Sequence, residues 1–306
     1  MPIFDQTFRR YEGPRHVRFL WWPVARQVIK PVLKSKLTWL ILSGIVVPVI
    51  FVSIGFFVSA KLEKISPQHV EAAAQAIEVT DIPIFSRNKP LNPILFTFLM
   101  GEYAFLWIFT LAAGGNTVSV EKRNNAFALY FARPLGRWDY IAGKVIGLTL
   151  LPSAVLIVSL LTLYIQAWAY FLTTQQALSL LPLLGKSLLF VLVASLVTSL
   201  TMTTFSGIAP SARAAGLMYL GFWMLSRIAG DILRHNQAWS GLRSLSPAHA
   251  MHAIAVALIE PGEKFIRKHR EFANLDASLA AVSLAVTFLV CLLLLRRSLR
   301  VVEVSR

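Results

Sequence analysis

Six apolar runs, each about twenty residues long, constrain this chain more than any other feature of its sequence. A backbone in lipid must form its hydrogen bonds within itself, so each run is expected to be a helix that crosses the bilayer. Hydrophobic residues make up 56% of the 306 residues and charged residues 15%, whereas a soluble domain carries about 25% charged residues. The sequence therefore predicts an all-α, polytopic membrane protein with a single transmembrane domain, residues 1–306.

The charges between these runs predict the orientation of the chain. The predicted spans are residues 38–60, 92–114, 144–168, 186–206, 214–233 and 278–295. With the N-terminus inside, the inner segments carry 18 basic and five acidic residues, and the outer segments carry 12 basic and nine acidic residues. Because basic residues are enriched on the cytoplasmic side, six spans with both termini in the cytoplasm are favoured. The fifth span has a short apolar part that Arg227 interrupts.

A basic amphipathic segment, residues 15–36, precedes the first span. On a helical wheel, Val24, Val28 and Val32 share an apolar half, while basic residues such as Arg26 and Lys30 share the other half. This pattern is typical of a helix that lies in the headgroup layer. The sequence predicts an elbow helix here; an ordinary juxtamembrane flank is the alternative.

The charged island, residues 120–144, separates the second and third spans and reads VEKRNNAFALYFARPLGRWDYIAGK. Residues 118–132 are predicted to form one helix of about four turns, which Pro134 ends. Such a helix has both an apolar and a charged side. On a membrane protein, this combination is typical of a surface that a soluble partner recognises.

This region resembles the membrane subunits of ABC-2 type exporters, the type V exporter fold, which carry a cytoplasmic coupling helix after the second span. Their pattern is close to E-x-x-x-G-T-x-x-x-L-L-x-x-P-[IVL]-[ST]-R-x-x-[YF]-x-x-G-K. The matching positions are Glu121, residues 133–137, Tyr140, Gly143 and Lys144. The Gly-Thr pair is absent, and Asn125-Ala126 occupies its place. The motif covers about 25 residues, whereas the resemblance of topology covers most of the chain.

The resemblance implies a permease subunit of a bacterial ABC exporter, with both termini in the cytoplasm and the spans in the inner membrane. It also implies a separate ATPase subunit that binds ATP and Mg²⁺, and a second permease copy, most simply a homodimer. The sequence contains no G-x-x-x-x-G-K-[ST] loop, so no cofactor and no enzymatic activity are expected in this chain. The residues expected to couple to the ATPase are Glu121, Lys122, Arg123, Asn124, Asn125, Arg133, Pro134 and Arg137.

Polar residues inside the spans mark a candidate translocation path. Glu102 lies about 15 Å into the second span at 1.5 Å per residue, and carboxylates at such depth are usually functional. Arg227 of the fifth span is the candidate partner of Glu102. Thr198 and Ser199 of the fourth span either line a polar path or support close helix packing.

The remaining features exclude several classes. The one cysteine, Cys291, lies in an apolar run, so a disulfide framework and a thiolate metal site are not expected. Basic-aromatic tracts lie on opposite sides of the membrane, which argues against nucleic acid. The outer loop, residues 229–277, is expected to carry a short helix and a periplasmic partner is possible there. Two other functions stay open from sequence: a membrane scaffold for a soluble complex, and an intramembrane enzyme.

Overall fold

Helices account for about 90% of the structure, a computed structural model that describes residues 20–65, 91–124, 126–131, 135–235 and 237–299. No strand occurs in these ranges. The expectation of an all-α protein is confirmed.

The helices follow the chain in the order that the sequence predicts, with additional short helices between the spans. Their bounds are α1 Trp21–Lys34, α2 Lys36–Ile65, α3 Asn92–Gly114, α4 Asn116–Arg123, α5 Ala126–Phe131, α6 Arg137–Phe171, α7 Thr174–Ser179, α8 Leu181–Ile208, α9 Ala212–His235, α10 Pro247–Ile259, α11 Glu263–Lys268 and α12 Ala277–Ser298. Two 3₁₀ segments, Gln237–Leu245 and Arg270–Phe272, flank α10 and α11.

Five helical stretches of the described chain are long and apolar enough to cross a membrane. They are Lys36–Lys61, Asn92–Arg123, Arg137–Phe171, Leu181–Ile208 and Ala277–Ser298. Helix α9, at the position of the fifth predicted span, has the length but carries Arg213, Arg227, Asp231 and Arg234. The chain is a multi-pass membrane protein, and the count of six spans stays a prediction.

The helix predicted over residues 118–132 is wrong as a single element, because the structure has two short helices there. Gly115 adopts ordinary helical angles (φ −55°, ψ −38°), so α4 continues the direction of α3 instead of starting a new helix. The first helix ends at Asn124, which leaves the helical region (φ −90°, ψ 10°). Asparagine side chains compete for backbone hydrogen bonds and favour helix ends.

The predicted outer loop contains a helix that packs inside the bundle. Helix α10 is apolar, and its buried side chains include Met251 and Ile259. It packs against α8, α9 and α12. The 229–277 segment is therefore an integral part of the helical core as well as a connection between spans.

Helix α1 packs closely on the first half of α6. Its apolar side, including Val24, Val28 and Val32, is buried, as the wheel predicts. A Cβ atom at Gly143 of α6 would lie 2.6 Å from the Trp21 carbonyl oxygen and 2.6 Å from the Val24 Cβ. Glycine is thus required there by close helix contact, a common device between membrane helices. Residues 15–19 of the predicted elbow lie outside the described residues.

Substitution Gly143→Ala is expected to lower the free energy of unfolding by about 1–3 kcal/mol, because the added methyl overlaps the backbone of α1. The measurement is thermal unfolding of the purified chain in detergent, followed by far-ultraviolet circular dichroism. Gly221→Ala in α9 is the control, since a Cβ there meets no atom within 4 Å, and it should be neutral or stabilising by up to about 1 kcal/mol. Equal midpoints for the two variants would contradict the close contact.

Candidate functional site

The carboxylate of Glu121 joins α4 to α6 within the charged island. Its Oε1 lies 2.6 Å from the ammonium Nζ of Lys144, and its Oε2 accepts a hydrogen bond from the hydroxyl of Tyr140. Lys144 is only 3% exposed and Glu121 18% exposed. Because water is largely excluded, the pair is held more firmly than an ion pair on the surface.

Tyr130 extends this cluster to α5 and α1. Its hydroxyl donates to Glu121 Oε1 at 3.2 Å and lies 3.0 Å from the side-chain amide of Gln27. Burial first, and then the negative charge of Glu121, raise the pKa of Tyr130 to about 12. The hydroxyl therefore stays protonated at neutral pH and can keep donating to the carboxylate.

Aromatic rings seat α5 on the start of α6. The Phe127 and Tyr140 rings meet edge to face with centroids 5.7 Å apart, and the Tyr130 and Tyr140 centroids are 5.8 Å apart. Such pairs add about 0.5–1.5 kcal/mol beyond the area that they bury. Asp139 fixes the start of α6, because its Oδ2 accepts from the Gly136 amide at 3.1 Å.

The hydroxyl of Ser206 attaches α4 to the end of α8. The amides of Val118 and Ser119 donate to Ser206 Oγ at 3.0 and 3.1 Å, and this hydroxyl donates to the Gly115 carbonyl at 2.8 Å. Next to it, Lys122 Nζ donates to the Gly207 carbonyl at 3.1 Å. The charged island is thus bonded to two membrane helices, α6 and α8.

The coupling residues predicted from sequence separate into an inner and an outer group. Glu121 faces inward, whereas Lys122, Arg123, Asn124 and Arg137 are exposed. Asn125, Arg133 and Pro134 lie outside the described residues. The exposed members place positive charge and a hydrogen-bonding amide on the outside of the charged island, where a soluble partner can reach them.

Sequence reasoning missed the bonding roles of Tyr130 and Ser206. Tyr140 and Lys144 carry the family resemblance, but their pairing with Glu121 was not foreseen. The two charges are 23 positions apart, so helical spacing gives no signal for this pair. They meet because the fold brings the end of α4 beside the first turns of α6.

Glu102 and Arg227, the pair predicted for the translocation path, do not bond to each other in the described part of the chain. Glu102 is fully buried, and neither of its oxygens has a hydrogen-bond partner in the described chain. Arg227 is exposed and lies on a cavity with Asp231 and His249 near the end of α9. The candidate pairing of Glu102 with Arg227 is therefore not observed as an ion pair in the described ranges.

The threonine hydroxyls of α8 bond to their own helix. Thr198 Oγ1 donates to the Ala194 carbonyl at 2.8 Å, and Thr201, Thr203 and Thr204 make the same contact four residues back. Ser199 is buried, and its hydroxyl lacks a partner within the described part of the chain. The threonine hydroxyls are thus satisfied within their own helix, while Ser199 and Glu102 keep unused hydrogen-bonding capacity in the interior.

Comparison with known protein families places the chain in context. The model of a family described as ABC-2 family transporter protein matches residues 22–300, which include all the described helices but the first residue of α1. Among curated proteins, none matches the chain.

Replacing Lys144 by methionine is expected to destabilise the protein by about 3–5 kcal/mol, because the Glu121 carboxylate stays buried without its cation. Lys186→Met is the matched control. Lys186 makes an ion pair of the same 2.6 Å length with Glu260, but the two side chains are 44% and 66% exposed.

The control should cost no more than about 1 kcal/mol. Urea or thermal unfolding of the two variants in the same detergent measures the difference. Equal losses of stability would show that the buried Glu121–Lys144 pair contributes no more to the free energy of unfolding than the exposed pair does.

Proposed function

The chain belongs to the ABC-2 family of transporter proteins, and we propose that it is the permease subunit of a bacterial ABC exporter. In this proposal, a separate ATPase binds ATP and Mg²⁺ and drives movement of a substrate across the inner membrane through this chain. Family membership assigns it to the membrane part of a transporter rather than to the ATPase, and implies an ABC ATPase as partner.

One observation carries the proposal: the charged island is bonded to two membrane helices and keeps an exposed cationic surface. The Glu121 carboxylate bonds to α6 and the Ser206 hydroxyl holds α4 on α8. A displacement of the charged island therefore has to move the ends of α6 and α8 with it. This is the mechanical requirement for a coupling element between a soluble motor and membrane spans.

Glu121 has a positioning role in this scheme. Because its carboxylate bonds inward to Lys144 and Tyr140, it shapes the charged island and leaves contact with the ATPase to the exposed residues. The proposed contact surface consists of Lys122, Arg123, Asn124 and Arg137, with Asn125, Arg133 and Pro134 beside them in sequence.

Sequence and family support the proposed orientation and assembly. The excess of basic residues in segments that include the charged island supports a cytoplasmic position for it and for both termini. A second permease copy, most simply an identical chain, would complete the transport path. The proposed interior part of that path within one chain consists of Glu102, Thr198 and Ser199. Arg227 is the proposed polar residue of the path near the end of the bundle opposite to the charged island. A periplasmic partner at the outer loops is compatible with this orientation.

Charge reversal at Arg123 or Arg137 is expected to weaken binding of the ATPase by roughly tenfold, since a rim cation would become repulsive toward an acidic partner surface. The full chain and the ATPase that copurifies with it are the material. The measurements are the molar ratio after purification and the dependence of ATP hydrolysis on added permease.

Lys264→Glu provides the control, because Lys264 is an exposed cation on α11, whose neighbour Phe265 contacts Phe96 near the opposite end of α3. This variant should retain the ATPase. Absence of a nucleotide-hydrolysing companion, or equal weakening by all three reversals, would contradict the proposed function.

A further inference from the structure

A polar cavity of about 260 Å³ lies at the end of the bundle opposite to the charged island. Helix α9 begins at Ala212, next to Gly115 and the start of α4. A Cβ atom placed on Gly115 would lie 3.1 Å from the Ala212 carbonyl oxygen. Arg234 is about 33 Å further along that helix at 1.5 Å per residue. The cavity forms where the end of α9 meets the 3₁₀ segment Gln237–Leu245 and helix α10.

Cationic side chains dominate its lining. Arg227 and Arg234 come from α9, and Arg243 comes from the 3₁₀ segment. Only two carboxylates, those of Asp231 and Glu271, line the same space. Three guanidinium groups therefore share a cavity with two acids.

Two histidines complete the lining and stay neutral. Burial first, and then the nearness of other basic groups, which include Arg227 and Arg243, lower the pKa of His252 to about 3. Burial first, and then the charge of Arg243, also lower the pKa of His249. Both imidazoles are thus available as neutral hydrogen-bonding groups at physiological pH, and the positive charge of the cavity is that of its arginines.

Arg243 is the buried arginine of this set, and it is incompletely bonded. It is 3% exposed, and its Nε–H has no hydrogen-bond partner in the described chain. Its Nη2 lies 3.8 Å from Asp231 Oδ1, beyond hydrogen-bond length, while the same oxygen lies 3.1 Å from His249 Nε2. A buried guanidinium with an unmet donor costs free energy that an anion with several oxygens would recover.

A second cavity of about 540 Å³ adjoins the first and shares Arg234 and Arg243 with it. Arg267 and Arg270 add two further cations, and Ile266 and Ala273 add apolar surface. The two spaces together offer a site for a charged group in the first cavity and room for a larger, partly apolar remainder in the second.

We propose that these cavities form a binding site for a phosphate-bearing ligand, with Arg227, Arg234 and Arg243 around the phosphate. A carboxylate has two oxygens, and one guanidinium can bond to both of them. A phosphate group can accept hydrogen bonds from several arginines at once. The phosphate can belong to the headgroup of an anionic lipid or to a soluble phosphate compound. The site lies far from the charged island, and binding to it does not depend on any ATPase.

The test uses the purified full-length chain and two probes. Phosphatidylglycerol retained in neutral detergent is counted by native mass spectrometry, and binding of inorganic phosphate is measured by calorimetric titration. The test variant is the double substitution Arg227→Gln and Arg234→Gln, because both side chains are exposed at the cavity and neither leaves a buried hole. Arg213→Gln is the control, an exposed arginine on the same helix at the opposite end.

The double variant is expected to lose at least about tenfold in affinity for the probe that binds, since two charge-assisted contacts are removed. The control should bind like the wild type. Retention of phosphatidylglycerol that phosphate does not displace identifies a lipid headgroup, and binding of phosphate with no lipid retained identifies a soluble ligand.

A second variant, Glu271→Gln, tests the sign of the effect. Removing this carboxylate from the cavity should tighten binding of the same probe several-fold, because a like charge no longer opposes the anion. The proposal is overturned if neither probe binds the wild type more tightly than the double variant, if Arg213→Gln loses as much, or if folded Glu271→Gln binds no more tightly.

Discussion

The buried ion pair between Glu121 and Lys144 is the interaction on which the form of the charged island depends. It connects a short helix that follows one span to the first turns of the next, and water is largely excluded from it. Two charges out of water stabilise a structure only when their remaining bonds are satisfied. Here Tyr140 and Tyr130 donate further hydrogen bonds to the Glu121 carboxylate, and the Lys144 ammonium also lies 5.4 Å from the centre of the Tyr140 ring. The described part of the charged island is consequently bonded to the membrane domain on the side of this pair.

The sequence was sufficient for the parts of the fold that depend on local pattern. Apolar runs predict the spans because lipid requires continuous helix, and the stripe through Val24, Val28 and Val32 predicts which side of α1 is buried. The family motif also locates the charged island. The break at Asn124 was missed, although asparagine favours helix ends. The attachment of α4 to Ser206 of the distant helix α8 has no local signal at all.

Contacts between residues that are distant in sequence could not be predicted from local sequence patterns. Nothing in the spacing of Glu121 and Lys144 indicates that they meet. In a stretch rich in charged residues, the sequence also does not distinguish a residue that faces a partner from one that bonds within the protein. The outer segment shows the same limit. Residues as far apart in sequence as Arg227 and Glu271 line one cavity because α10 packs inside the bundle. The sequence predicted an outer loop with a short helix, which gives no signal for such a cavity.

The described part of the molecule has charged groups at both ends and an apolar core between them that contains some buried polar groups. At one end, exposed cations lie on a body bonded to α6 and α8; at the other, arginines surround a cavity at the end of α9. Between these ends, Glu102 and Ser199 are buried with unmet hydrogen-bonding capacity. Helices α3 and α8 pass from the charged island to these buried groups, so in the proposed coupling scheme a displacement at the charged island would reach Glu102 and Ser199.

The position and occupancy of the charged island are tested most directly by thiol labelling at Asn124, an exposed residue between α4 and α5. The chain would carry Asn124→Cys, with the buried Cys291 replaced by alanine, and a membrane-impermeant maleimide would be applied to right-side-out and inverted vesicles. The account predicts labelling in inverted vesicles only, and slower labelling when the ATPase is bound. Labelling from the outer side, or a rate that the ATPase does not change, would contradict it.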